Sequence, residues 1–155
     1  MQEKDRFRLT TTGLGVAAVV HAAWVWGVVP ALRFVAVAVA VAFVAEIFVI
    51  RPGLLTHHTG PKAMGVPFVA LAGWVGVIYV AYSLVGFVVT GPLRPVAAGV
   101  LATATNLLTD PHGVAQGFWT YHESRVSSPR YGDVPWWNYL GWFVLTTGIT
   151  AVAAP

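Results

Sequence analysis

The chain has 155 residues, of which 57% are hydrophobic and only 10% are charged, against about 25% charged residues in soluble domains. A soluble domain of this length could not bury so much apolar surface, so the composition predicts one integral membrane domain. The absence of cysteine excludes disulfides and thiolate metal sites, and the +3 net charge comes from scattered basic residues that do not indicate nucleic-acid binding.

Five apolar stretches predict an all-α bundle of about five transmembrane helices, since a spanning helix needs about 20 apolar residues. They cover residues 13–32, 34–50, 66–90, 93–109 and 136–155. Pro30 and Arg33 separate the first two. The first stretch is too long for a cleaved signal peptide. The weakest is 93–109, and a four-helix alternative lets it only dip into the bilayer. No internal repeat is evident.

The basic residues predict a cytoplasmic N-terminus and a multi-pass protein of the cell membrane, because cytoplasmic loops carry an excess of Lys and Arg. This orientation puts Arg33 and Arg94 outside. The cytoplasmic side receives Lys4, Arg6, Arg8, Arg51, Lys62, Arg125 and Arg130. The long loop 110–135 is then cytoplasmic as well.

Glu46 is a candidate functional residue because it lies inside an apolar run. A carboxylate within the membrane is costly and usually faces the bundle interior. The alternative is that Glu46 reaches the cytoplasmic interface and pairs with Arg51.

Asn106 and Asp110 are four residues apart, so they share a helix face if the fourth helix continues to Asp110. That face predicts a polar pocket at the cytoplasmic end. The alternative is that the helix ends at Asp110, because Pro111 disfavours helical geometry at the preceding residue.

The histidines do not predict a metal site. His21 lies in the first stretch and is read as a packing residue. The others, which are His57, His58, His112 and His122, lie in predicted loops without ligand spacing.

Aromatic residues are dense at the end of the chain. Part of this cluster is typical of an interfacial aromatic belt. Trp119, Tyr131, Trp137 and Trp142 with Asn138 also suit the walls of a site for a long apolar ligand with one polar end.

The stretch YGDVPWWNYLGW at residues 131–142 resembles the membrane carotenoid hydratases. Three further stretches agree with this resemblance. They are Asp110-Pro111 with GFW at residues 117–119, GPKAMGVP at residues 60–67 with Trp74, and Glu46.

The resemblance implies hydration of a terminal carbon–carbon double bond of an acyclic carotenoid to a tertiary alcohol. Glu46 and Asp110 would be the catalytic acids, and no cofactor or metal is implied. The substrate-binding candidates are Asn106, Trp119, Tyr131, Trp137, Asn138 and Trp142. The implied partners are a carotenoid or similar lipid, the membrane, and a second copy or other carotenoid enzymes.

Two other interpretations remain open. A non-catalytic carotenoid-binding or accessory subunit would explain the short chain and the amide at Asn106, where the family often has an acid. A small transporter would need polar residues along a whole helix face, whereas they cluster at the predicted cytoplasmic ends.

Overall fold

A computed structural model describes residues 2–122 and 128–155, and its described part is an antiparallel arrangement of five α-helices. Successive helices alternate in direction. They are α1 (Glu3–Trp26), α2 (Val28–Ile50), α3 (Phe68–Val85), α4 (Arg94–Ala115) and α5 (Trp136–Ala153), with a short 3-10 turn, Gly91–Leu93, before α4.

The first helix break lies at Gly27, and the predicted break at Pro30 and Arg33 is wrong. Gly27 has φ +87, which glycine adopts readily. Pro30 and Arg33 belong to α2. Pro30 is tolerated because it lies in the first turn, where a backbone N–H has no helical acceptor. At its other end, α3 stops at Val85 rather than at residue 90.

α4 continues through Pro111 to Ala115, so Asp110 does not end the helix. Tertiary packing overrides the local effect of proline here. Gly132, with φ +55, lies directly on the Pro111 ring, and a Cβ at Gly132 would come within 2.4 Å of Pro111 Cβ. The predicted loop 110–135 therefore begins inside a helix.

Six short strands form three antiparallel pairs, which the all-α prediction missed. β1 (Leu55–His57) pairs with β4 (Trp119–Tyr121), so the segments after α2 and α4 meet at one end of the bundle. The other pairs form hairpins before α3 and α5. They are β2 (Lys62–Ala63) with β3 (Val66–Pro67), and β5 (Arg130–Tyr131) with β6 (Val134–Pro135).

The order of elements shows an internal repeat, which the sequence expectation missed. Helix, strand, hairpin and helix occur first from α2 to α3 and again from α4 to α5. The hairpins lead into segments 61–74 and 129–142, in which Pro, Val, Pro, Gly and Trp recur at matching positions. α1 lies outside the repeat and packs on α3, where Gly15 meets Ala72.

The β1–β4 pair relates the two halves by an approximate two-fold axis. Thr56 pairs with Thr120 at its centre. The Thr56 hydroxyl bonds to the His122 ring at 2.9 Å, and the Thr120 hydroxyl bonds to the His58 ring at the same distance. Two backbone hydrogen bonds are related in the same way: His58 N–H donates to Phe118 O, and His122 N–H donates to Leu54 O.

Three helices in the described part of the chain, α1, α2 and α3, have the length and hydropathy needed to cross a membrane. Of the five described helices, α4 and α5 do not reach the same mean hydropathy. Large apolar side chains such as Trp24, Phe48 and Phe87 lie exposed on the outside, while the packed interior is rich in alanine, as in membrane helix bundles. The bundle therefore fits a lipid environment. Arg125, used in the predicted orientation, lies outside the described residues.

Candidate functional site

A cavity of about 670 Å³ lies at the end of the bundle where β1 and β4 pair. All five helices contribute to its wall, together with both strands. The wall is largely apolar, and its polar groups are concentrated around Glu46 and Asp110. Such a cavity suits an apolar ligand whose position is set by a few polar contacts.

Glu46 is 8% exposed and comes from the last turns of α2. Its Oε2 lies 2.9 Å from His57 Nε2, and its Oε1 accepts a hydrogen bond from Trp74 Nε1 at 3.1 Å. Both oxygens are therefore bonded. Arg51, the predicted alternative partner, is exposed beyond the end of α2, so that interpretation is wrong.

Asp110 is 4% exposed and faces the same cavity from α4. Its Oδ2 accepts hydrogen bonds from Tyr121 Oη at 2.9 Å and from Asn138 Nδ2 at 2.6 Å. Asn138 Nδ2 also donates to Asn106 Oδ1 at 2.9 Å. Asn138, from the start of α5, thus bridges the two α4 residues whose spacing predicted a shared face.

Tyr121 is held in place by the β1–β4 pairing. Burial, followed by the nearby Asp110 carboxyl, raises the pKa of the Tyr121 phenol well above its ordinary value. The hydroxyl therefore stays protonated at neutral pH and remains a donor to Asp110. Its ring also meets Trp137 edge-on, with centroids 5.7 Å apart.

Trp119 fits into the wall because residue 113 is glycine. A Cβ at Gly113 would lie 2.2 Å from the Trp119 ring. The Trp119 indole nitrogen is buried close to the Asp110 carboxyl and donates no hydrogen bond of full geometry to a described residue. It is available to an oxygen atom of a ligand or a water molecule.

Trp74 and Trp142 stack on each other, with ring centroids 3.7 Å apart and planes 11° apart. They occupy equivalent positions of the two repeats and both line the cavity. The electron-rich faces of aromatic rings attract cations, so this part of the wall can stabilise a positively charged intermediate.

Most predicted site residues line this cavity, and Tyr131 is the exception. The lining includes Glu46, Asn106, Asp110, Trp119, Trp137, Asn138 and Trp142. Tyr131 is 61% exposed, because its hairpin lies outside the cavity wall. Its backbone carbonyl accepts a hydrogen bond from Tyr139 Oη at 3.2 Å, so the contact that the structure shows for Tyr131 is with α5 and not with the cavity.

His57 and Tyr121 are the site residues that sequence reasoning missed. Both end short strands that pair across the two halves, and no local pattern reveals that pairing. The signal that could have found them is the repeat itself, because His57 follows Glu46 by the same number of residues as Tyr121 follows Asp110.

Of the remaining histidines, His112 also lines the cavity. His21 Nδ1 lies within hydrogen-bond distance of Tyr79 Oη, away from the cavity wall. Within residues 2–122 and 128–155, no group of three or more acidic or histidine side chains is arranged to hold a metal ion.

The sequence profile of the carotenoid biosynthesis protein family matches residues 8–154, which is nearly the whole chain. The chain belongs to this family. The predicted resemblance is therefore confirmed at the level of the family. The matched region includes both repeats and every residue that lines the cavity except Phe7.

Within the family, the chain is similar to a bisanhydrobacterioruberin hydratase of Haloarcula japonica. The two are 33% identical over 99 residues, which cover 60% of this chain and 31% of the relative. The match thus spans about a third of the length of that curated relative. No solved structure matches the chain.

Proposed function

We propose that this protein hydrates a terminal carbon–carbon double bond of an acyclic carotenoid to a tertiary alcohol. The observation that carries the proposal is the pair of buried carboxyl groups, Glu46 and Asp110, facing one apolar, aromatic-walled cavity. Family membership supports carotenoid chemistry, and the name of the Haloarcula japonica relative supports hydration as the reaction.

The reaction needs a proton donor, a site for a cation and a water molecule. A carboxylic acid transfers a proton to one alkene carbon, and the more substituted carbon becomes a tertiary cation. Water then forms the new C–O bond and loses a proton to a base. Two carboxyl groups on one cavity supply both the acid and the base, which is ordinary general acid–base chemistry.

The aromatic wall supports the same reaction. A tertiary cation is stabilised by ring faces and by carboxylate charge in a site of low dielectric. The stacked pair Trp74 and Trp142 and the ring of Trp137 lie on the wall beside the two acids. The apolar lining also limits the water that reaches the cation.

The fold supports a substrate that enters from lipid. In this proposal the five helices cross the membrane and the cavity opens at its cytoplasmic side, where the positive-inside rule puts most basic residues. One end of the carotenoid occupies the cavity, while the rest of the polyene stays among the lipid chains.

The deciding experiment expresses the chain in cells that accumulate an acyclic carotenoid with unhydrated ends. Extracts are separated by reversed-phase chromatography with mass detection. The expected product is more polar and heavier by one water per hydrated end. The control is the double variant Glu46→Gln, Asp110→Asn, which keeps the shape of both side chains and removes both acids.

Accumulation of the unchanged carotenoid with the wild-type chain would overturn the proposal. If that carotenoid also co-purified with the protein, the non-catalytic binding interpretation would replace it.

A further inference from the structure

The two repeats place one carboxyl group each at equivalent positions of a shared cavity. Glu46 lies near the C-terminal end of α2, and Asp110 lies near the C-terminal end of α4. Each carboxyl group bonds to the side chain of the last residue of the strand that follows its helix. The backbone geometry is matched, but the bonding partners differ. The difference in partners bears on which carboxyl carries a proton.

Glu46 has the surroundings of an ionised carboxylate. Both of its oxygens are engaged, one by the Trp74 N–H and one by His57 Nε2. His57 can carry a positive charge, and an opposite charge at hydrogen-bond distance favours the charged form of a carboxylate. The Lys62 ammonium donates to the His57 backbone carbonyl, which fixes the strand that carries this histidine.

Asp110 has the surroundings of a neutral acid. Its two donors, the Tyr121 hydroxyl and the Asn138 amide, are both uncharged and both reach Oδ2. Among the described residues Oδ1 accepts no hydrogen bond of full geometry, although the Trp119 indole N–H lies close to this carboxyl, so Oδ1 is the oxygen that can hold a proton and present it to the cavity. Two carboxylates facing one apolar cavity also repel each other, which favours the state in which one of the two carries a proton.

We infer that the two acids have different roles, with Asp110 as the proton donor to the alkene and Glu46 as the base for water. His57 is a positioning residue that acts through Glu46. This inference rests on the proposed function. It assigns to the second repeat the step that forms the cation and to the first repeat the step that captures it.

The step balances as follows. The Asp110 O–H bond breaks and a C–H bond forms as the alkene π electrons take the proton, leaving a tertiary cation. A water oxygen forms the C–O bond, and its proton passes to the Glu46 carboxylate. Glu46 then releases a proton to solvent and Asp110 takes one up, so the net reaction adds one water molecule to the alkene and gives the alcohol.

The test measures hydration and hydrogen exchange in the same sample. Membranes containing wild type, Glu46→Gln or Asp110→Asn are incubated in D₂O with the acyclic carotenoid. Both the alcohol and the recovered alkene are analysed for deuterium. Wild type is expected to form deuterated alcohol, and failure to do so would overturn the proposed function rather than this division of roles.

The two variants should then separate the steps. Glu46→Gln should lose at least tenfold in alcohol, yet its recovered alkene should gain deuterium, because Asp110 delivers a deuteron to the alkene and the cation, when no water is captured, gives one of the substrate's own protons back to Asp110. Asp110→Asn should give neither alcohol nor deuterated alkene. Exchange in Asp110→Asn without exchange in Glu46→Gln would overturn the assignment, and so would exchange in neither variant.

A further variant guards against misfolding. His57→Gln keeps a hydrogen bond to Glu46 but cannot carry the charge, so it should behave as a milder Glu46→Gln, with less alcohol and retained exchange. Each variant is compared only if it elutes from size-exclusion chromatography as wild type does. A His57→Gln protein that loses alcohol and exchange together would also overturn the assignment.

Discussion

Trp74 donates its indole N–H to Glu46, while its repeat partner Trp142 stacks on it without a carboxylate partner among the described residues. One aromatic pair therefore combines a symmetric packing contact with an asymmetric polar one. The two contributions can be separated by experiment because the same substitution can be made on either side of the stack.

Trp74→Phe should lower hydration about 10- to 100-fold, because a hydrogen bond to a charged group contributes about 1.5–3 kcal/mol. Trp142→Phe removes the same amount of ring from the same stack but no bond to Glu46, so it is the matched control. Thermal unfolding in detergent should shift similarly for both. Equal activity losses would show that the stack matters and that the bond to Glu46 does not.

Asn138→Leu should impair both stability and hydration. It leaves Asn106 Oδ1 without its amide donor and takes one of the two donors from Asp110. A buried polar group without a partner costs about 1–3 kcal/mol, so we expect a lower melting temperature and a loss of activity of tenfold or more.

Thr103→Val is the control for this prediction. It also exchanges a polar side chain for an apolar one of similar size on the same bundle. The Thr103 hydroxyl bonds only to the Gly99 carbonyl of its own helix, so activity should remain near that of wild type. Wild-type activity in Asn138→Leu would exclude the bridge from any role in the site.

The spacing of Asn106 and Asp110 was sufficient to predict that they share a helix face, because helical periodicity is a local property. The cost of a carboxylate in an apolar run likewise indicated that Glu46 faces inward. These predictions needed only a helix. The structure adds that Asn138 connects Asn106 with Asp110.

The contacts of His57 and Tyr121 could not be predicted in the same way. They depend on a strand pair between segments far apart in the chain, and three-residue strands have almost no periodicity to detect. The repeat was also hidden, because the connection from strand to hairpin is longer in the second half and few residue types recur.

Gly141→Leu should block the cavity without destabilising the protein. A Cβ at Gly141 meets nothing within 4 Å, and the residue lines the cavity. Replacing a helical glycine should by itself stabilise α5 by up to about 1 kcal/mol. We therefore expect an unchanged or higher melting temperature together with a loss of hydration of tenfold or more.

The matched control is Gly148→Leu on the same helix. Gly148 is exposed, and its Cβ position is also open, but it does not line the cavity. This variant should keep both stability and activity. Equal activity in the two variants would mean that the substrate does not occupy the space beside Gly141.

The proposed orientation of the bundle predicts from which side of the membrane a reagent can label each end of the bundle. The chain has no cysteine, so single cysteines can be introduced without removing any. Gln116→Cys lies at the cavity end, and Leu93→Cys lies at the opposite end. Both positions are exposed and uncharged in the wild type, so neither substitution changes the distribution of basic residues that sets the topology.

In intact cells, a membrane-impermeant maleimide should label Leu93→Cys and leave Gln116→Cys unlabelled. In inside-out vesicles the pattern should reverse. The physical reason is that six of the eight basic residues in the described part of the chain lie at the end of the bundle that holds Gln116. Labelling of Gln116→Cys in intact cells would place the cavity on the outer face, and the substrate would then reach it from the outer leaflet.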